Sequence, residues 1–379
     1  MRAAPLTEDE RSALGLASLG AGPRRIRRFL DGFSPTAAWE ALAEGVHPAD
    51  LDHAYRDKAT PALIDSAAVS CERAGGSVLV LGLEGYPEAL AEDPDAPAIL
   101  FAWGEPSTSD CLARVAVVGT RSATPYGLGV ASELGRGLAD TGVTVVSGLA
   151  KGVDSAAHAG SLGSEHGAPL AVLGTALDGR LAPAQHALRR QVAERGAVVS
   201  EIPPGSEGAP AWWFAIRNRV MAALAHVVVV VECHLNGGAL HTVRYALQRG
   251  VPVAAVPGSV RSVASSGTNS LLVDGASPVR DTDDVLSILE LAIAGKPGVT
   301  LSPTRSSRAQ GAPPRRRGAL ELSSTQSQAL AALDHDPAPL DAIVLRSGLS
   351  IGEAALALEQ LSGLGIAESE AGWWSRPRR

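Results

Sequence analysis

The chain has 379 residues, 45% of them hydrophobic and 4% aromatic, enough for one large domain with one or two small ones. Its formal net charge of −7 speaks against a surface that binds nucleic acid everywhere and leaves room for a confined basic site. Cys71, Cys111 and Cys233 have neither CxxC nor metal-ligand spacing, the opening "MRAAPLTEDERSALG" lacks an apolar signal core, and no apolar run approaches a membrane span; a soluble cytoplasmic protein with free thiols, no metal and no membrane partner is expected.

Residues 1–75 read as short helices. "LGLASLGAGPRRIRRFLDGF" has the hydrophobic–glycine–x–glycine turn of a helix-hairpin-helix, followed by Arg24, Arg25, Arg27 and Arg28. Such a turn presents backbone N–H groups to a phosphate. The segment carries 9 basic and 11 acidic residues, so a helical module with solvated arginines stands as the other reading.

From 76 to 298, strand-like runs alternate with helical ones. The strands are "SVLVLGL", "AILFAWG", "RVAVVGT", "VTVVSG", "LAVLG", "AVVSE", "HVVVVVE" and "VPVAAVPG", and from Val115 onward most are separated by amphipathic stretches. Near-continuous valine runs imply strands covered on both faces, hence an α/β fold with a doubly wound, mostly parallel sheet. In such a sheet ligands bind beyond the carboxyl ends of the strands.

Residues 299–318, "VTLSPTRSSRAQGAPPRRRG", lack apolar periodicity and read as a flexible linker. In residues 319–379 "SSTQSQALAAL", "PLDAIVLRSG" and "SIGEAALALEQLSGLG" read as three helices, the last with Ser350 and Glu353 in capping-box spacing. "GIAESEAGWWSRP" reads as a hairpin, which completes a winged helix. This segment has 4 basic and 8 acidic residues, and its third helix has no Arg or Lys. A major-groove reader needs the opposite charge, so protein contact is the favoured role.

Three strand ends carry chemistry. In "VAVVGTRSATPYG" a strand breaks at Gly119, Arg121 sits in the turn, and a helix starts near Pro125, which suits an anion; the other reading is a strand-capping arginine. In "VVSGLAKGVDSAAH" the strand ends at Ser147 and Gly148, Lys151 stands in the turn, and Gly152 allows close approach. Asp154 and His158, four apart, are an acid–base pair or, more simply, a helix cap and a packed histidine. Neither turn is a Walker A loop or a dinucleotide fingerprint. In "AWWFAIRNRVMAALAHVVVVVE" Trp212, Trp213 and Phe214 are consecutive in a chain of only 14 aromatic residues, with Arg217 and Arg219 close behind. Aromatic faces beside arginines suit single-stranded nucleic acid; a hydrophobic plug over the sheet is the alternative.

The ordered motifs "VGTRSATPYG", "VSGLAKGVDSAAH", "VSEIPPG", "FAIRNRVMAAL", "VVVVECHLNGGALHT" and "VPVAAVPGSVRSVASSGTNSLLVDGA" closely resemble the DNA-processing protein A family, DprA or Smf, over about residues 76–290. The resemblance implies an extended Rossmann-like DNA-binding domain at 76–298. This is preceded by a helix-hairpin-helix or SAM-like module and followed by a winged helix. It also implies single-stranded DNA binding, homodimerisation and loading of the RecA recombinase during DNA uptake, without catalysis or cofactor. Carried over by motif, the DNA site comprises Gly119, Thr120 and Arg121; Ser147, Gly148 and Lys151; Phe214, Arg217, Asn218 and Arg219; Gly238 and Thr242; and Gly267, Thr268 and Asn269. The chain departs from the family at Ala215, where a proline is usual, and at Gly237-Gly238, where serine-glycine is usual. It also lacks the usual tyrosine-proline in "GTALDGRLAPAQHAL".

The same broad fold serves nucleoside-monophosphate phosphoribohydrolases, whose PGGxGTxxE loop carries a catalytic glutamate. Here "NGGALHTVRY" places Tyr245 where the acid belongs, which leaves no obvious general acid–base agent. A nucleotide-binding sensor and a structural adaptor working through the winged helix are the remaining alternatives. Because residues 76–298 hold 15 basic and 21 acidic side chains, a DNA site there must be a positive pocket on an acidic body.

Overall fold

A computed structural model describes residues 5–106, 112–206, 212–294, 322–334, 338–364, 366–370 and 373–376. The expected linker at 299–318 and Cys111 lie outside the described residues. The chain forms two compact units, divided between Ser306 and Ser307.

The first unit opens with four helices: α1 (Glu8–Ser18), α2 (Pro23–Phe29), α3 (Pro35–Glu44) and α4 (Pro61–Ala74). Each start has a local cause. Thr7 and Glu10 form a capping box at α1, Ser34 and Thr60 cap α3 and α4, and proline occupies the first turn of α2, α3 and α4. The turn between α1 and α2 is the expected hairpin. Its core of Leu14, Leu16, Phe29 and Leu42 runs without a break into Val78, Phe101 and Ala171 of the sheet and Leu177 of the loop after β5. The helical module is therefore anchored on the body.

The body follows as β1 (Ser77–Val80), α5 (Glu88–Ala91), β2 (Ile99–Gly104), β3 (Arg114–Val118), α6 (Pro125–Asp140), β4 (Thr144–Ser147), α7 (Val153–Leu162), β5 (Leu170–Leu173), α8 (Pro183–Arg195) and β6 (Ala197–Ser200). Next come α9 (Trp212–Leu224), β7 (Val227–Val230), α10 (Ala239–Gln248), β8 (Val253–Ala255), α11 (Ser266–Val273), β9 (Ser277–Pro278) and α12 (Thr282–Ile293). All eight strand-like runs are strands, and β9 is a short addition. The nine strands lie in the order β1-β2-β6-β5-β4-β3-β7-β8-β9. Pairing is antiparallel from β1 to β6 and parallel from β6 to β9.

Alternate residues of the central strands enter two cores. Val115, Val117, Val145 and Val229 pack with Leu134 and Leu138 of α6 and Leu289 of α12. Ala116, Val118, Val146 and Val228 pack with Val220 and Leu224 of α9 and Val243 of α10. Helices on both faces explain why every residue of β3, β4, β5, β6 and β7 is buried. From β3 the chain winds outward through β4, β5 and β6, then returns to start β7 on β3's other side. The β3–β7 boundary is thus the topological switch point, where a ligand crevice opens in a doubly wound sheet.

The second unit contains α13 (Ser324–Ala332), β10 (Ala338–Pro339), α14 (Leu340–Ser347), α15 (Ile351–Gly363), β11 (Glu368–Glu370) and β12 (Trp373–Ser375). Ile343, Leu358, Leu361 and Trp374 form its core, and the Ser350–Glu353 capping box is present. β12 pairs with β11, the expected hairpin, and also with β10.

Candidate nucleic-acid interface

A cleft of about 470 Å³ opens at the switch point, walled by the loops after β3 and β7, the turn after β4, and α9. The first two strand ends lie side by side because β3 and β4 pair in parallel register, Ala116 opposite Val146. Their loops interlock. Thr120 N–H donates to the Glu232 carbonyl at 2.8 Å and Val153 N–H to the Thr120 carbonyl at 3.3 Å. Gly152 has φ of +92°, and a Cβ there would stand 2.3 Å from the Thr120 oxygen, so only glycine closes this turn. At Gly148 a Cβ would fall within 1.6 Å of the Arg217 guanidinium, which fills the space that a side chain would need.

Beneath the turn an arginine and a carboxyl are both buried. Arg217 donates to the Val172 carbonyl and is set against Asp154, while its Nε has no partner. Burial raises the Asp154 carboxyl pKa, opposed by the Arg217 charge and by the amides of Ala150, Gly148 and Gly119, which face it. Asp154 thereby gathers both strand-end loops around one internal carboxyl. Behind it, burial lowers the His158 pKa to about 4. Neither ring nitrogen has a partner in good hydrogen-bond geometry, although Ser147 lies close by, so the imidazole stays neutral at physiological pH. His158 is the packed histidine of the simpler reading.

The α6 N-terminus, which the sequence offers as an anion seat, is closed from within. Glu232, buried at the end of the β7 run, accepts from Thr124 N–H at 2.8 Å and from the Thr124 hydroxyl at 2.6 Å. An incoming anion must therefore be met by side chains. Arg121 is exposed at the cleft mouth with its guanidinium 5.0 Å from the centre of the Phe214 ring. Phe214 packs against Gly174 at the end of β5, where a Cβ would come within 2.7 Å of the ring. A guanidinium and an aromatic face are thus one preassembled pair.

Of the residues carried over by motif, Gly119, Thr120, Arg121, Phe214, Arg217, Asn218, Gly238 and Thr242 line the cleft together. Asn218 Nδ2 reaches the Gly238 carbonyl at 3.4 Å and ties α9 to the glycine loop. Lys151 is exposed on the β4 turn outside that lining, and Ser147 is buried with its hydroxyl donating to the Val117 carbonyl at 2.7 Å. Gly267, Thr268 and Asn269 brace the wall from behind. Gly267 N–H donates to the Cys233 carbonyl at 2.7 Å, the Thr268 hydroxyl to the Ser265 carbonyl at 3.1 Å, and Asn269 exchanges two bonds with Gly258. Arg219 turns to the other side of α9, where it ion-pairs with Glu201 and donates to the Asp95 carbonyl. His234 and His241 line the cleft without having been singled out in the sequence. Their flanking glycines in "CHLNGGALH" were the available signal.

The sheet order, the switch-point cleft and the three-helix unit with its hairpin define a Rossmann-like protein that carries a winged helix. Residues 77–290 match the family model of DNA recombination-mediator protein A, and residues 313–362 match that of the DprA winged helix domain. The chain belongs to the DprA family. It is 39% identical to a DprA-named protein of Mycobacterium tuberculosis over 286 residues, covering 74% of this chain and 68% of the relative. Among solved structures, DNA processing protein A from Streptococcus pneumoniae aligns with a TM-score of 0.57 at 30% identity, covering 75% of this chain and 98% of that one. DNA processing protein A from Helicobacter pylori, described for its single-stranded DNA binding mode, aligns with a TM-score of 0.51 at 29% identity, covering 56% of this chain and 95% of that one.

Proposed function

We propose that the protein binds single-stranded DNA in the switch-point cleft, acts as a homodimer, and delivers the strand to the RecA recombinase. The observation that carries this reading is the Arg121–Phe214 pair at the cleft mouth. Arg121 meets a phosphate, the Phe214 ring offers a stacking face to a base, and Lys151 on the adjoining turn is placed for a neighbouring phosphate. The H. pylori relative's described binding of single-stranded DNA supports the same assignment. Arg217, Asn218, Gly267, Thr268 and Asn269 shape the loops, and Arg219 anchors α9. The body at 76–298 is the DNA-binding domain, preceded by the helical module at 1–75, and the winged helix at 319–379 meets protein beyond the linker at 299–318.

The phosphoribohydrolase reading finds less support. Tyr245, in the position of that family's acid, lines a different cavity, and the cleft's own carboxyl, Asp154, is buried and faced by the Arg217 charge and the amides of Ala150, Gly148 and Gly119. Release of free base from AMP that stops when Arg121 is replaced would favour the enzyme.

The test is the salt dependence of binding to single-stranded oligonucleotides. Arg121→Ala should weaken binding to every sequence alike and flatten the logarithmic salt slope by about 0.7, the share of one phosphate contact on a single strand. An unchanged slope and affinity would remove the cleft as the DNA site. Recruitment of RecA needs a surface apart from the occupied cleft, so a RecA pull-down should survive Arg121→Ala.

A further inference from the structure

The α9 helix has two working faces. Phe214, Arg217 and Asn218 line the switch-point cleft, whereas Trp212, Ile216 and Arg219 line a second cavity of about 500 Å³. The far wall of that cavity is the α1–α2 hairpin of the helical module, which contributes Arg24, Arg25 and Arg27. The hairpin packs in the core that holds Phe101, Ala171 and Val198, and α9 in the core that holds Ala102, Val172 and Val199, so both walls rest on the same strands of one unit.

Its lining is cationic and aromatic. Arg24 is exposed and has no carboxylate partner among the described residues. Arg27 donates to the neutral carbonyls of Pro94 and Ala96, at 2.7 and 3.2 Å, and has no carboxylate partner among the described residues. Arg25 leans on Asp50 and Asp52 at 3.4 and 3.2 Å, yet its buried Nε has no partner. Arg219 is matched by Glu201, and Asp95 lies 3.7 Å from Arg249. The balance facing the cavity is positive. Trp212 is 48% exposed and lies on Trp213 with ring centres 4.7 Å apart and planes 20° apart, so one indole face is supported while the residue remains open.

We infer that this cavity is a second subsite for the same single strand, taking a nucleotide with its phosphate on Arg24 and Arg25 and its base on Trp212. Trp212 and Phe214 are two residues apart at one end of α9, hence on opposite faces of a helix with 3.6 residues per turn. A strand leaving the switch-point cleft crosses that helix end and enters the second cavity. Arginine beside an aromatic face is the pairing that sequence-tolerant single-strand binding uses, and an acidic peptide would leave the open indole face without a role. The hairpin of the helical module gains a function as the outer wall. This inference rests on the reading of the switch-point cleft as a DNA site.

Fluorescence anisotropy of the full chain with labelled oligothymidylates of about 6 and about 20 nucleotides, a span typical of single-strand sites, tests it. Arg24→Ala and Trp212→Ala should bind the short oligonucleotide as wild type does and lose about tenfold on the long one, the scale of one lost stack or contact. Arg24→Ala, a change at an exposed side chain, should also flatten the salt slope for the long oligonucleotide only. Wild-type binding of both lengths by both variants, with Arg121→Ala still impaired, would overturn the second subsite and leave the first intact. Equal weakening at both lengths would mean that the cavity acts through α9 on the first site, and that too would overturn it. Loss of RecA pull-down with DNA binding unchanged would reassign the cavity to protein. Unimpaired binding by Arg121→Ala would instead remove the reading on which the inference rests.

Discussion

Arg121 and Phe214 occupy each other's space, which changes what their separate replacement should do. With the guanidinium 5.0 Å from the ring centre, Phe214 positions the charge as well as offering a stacking face. Loss of the stack is worth about 1–3 kcal/mol per base. A double-mutant cycle on single-stranded DNA should therefore be less than additive for Arg121→Ala and Phe214→Ala, with a coupling of about 0.5–3 kcal/mol. Strict additivity would mean that they contact the strand independently. Arg217 and Arg219 make the opposite point. They look equivalent in "FAIRNRV", yet one is buried beneath Gly148 and the other faces Glu201. Two residues on a helix turn through more than half a circle, so the sequence places both near the site and only the fold separates them.

The elements themselves were legible because their causes are local. Valine runs announced β3 to β7, and Ser350 with Glu353 announced α15. The pairs Ser277–Pro278 and Ala338–Pro339 form strands too short for any alternation to register. Partners far apart in the chain were also hidden. Glu232 reaches Thr124 across 108 residues, so no motif reveals that the α6 N-terminus already holds a carboxylate. The α7 helix carries a further consequence. Its His158 is held neutral down to about pH 4, whereas the unfolded chain takes up that proton near pH 6.5. The unfolded state then binds more protons in that window, and its contribution to stability, on the order of 3 kcal/mol, is lost as pH falls through it. Asp154 and Glu201 have raised pKa values and work in the opposite direction, taking up protons earlier when folded. The informative quantity is thus the difference between wild type and His158→Leu. Urea midpoints at pH 7 and pH 5 should fall further for wild type, and parallel shifts would contradict the buried neutral imidazole.

Across the whole molecule, a net charge of −7 would confine a bound single strand to the few places where cations are gathered, and the strand ends of the body, with Arg121 and Lys151, are such a place. No helix among the described residues is long and apolar enough to cross a membrane. The winged-helix segment is acidic, with 4 basic and 8 acidic residues from 319 onward, and contributes little attraction for phosphate. Removal of residues 299–379 should leave single-strand affinity within a few-fold. A loss of about 100-fold, roughly 2.7 kcal/mol, would mean that the linker arginines or the winged helix hold DNA directly. Preference for the single strand is what the proposed function demands, because duplex DNA hides the base faces that Phe214 would stack against. Its most direct measurement is equilibrium binding of the full chain to one sequence, presented single-stranded and as duplex at the same salt concentration. The single strand should bind at least about tenfold more tightly, the scale of one stacked base, whereas equal affinity for both forms would contradict the account.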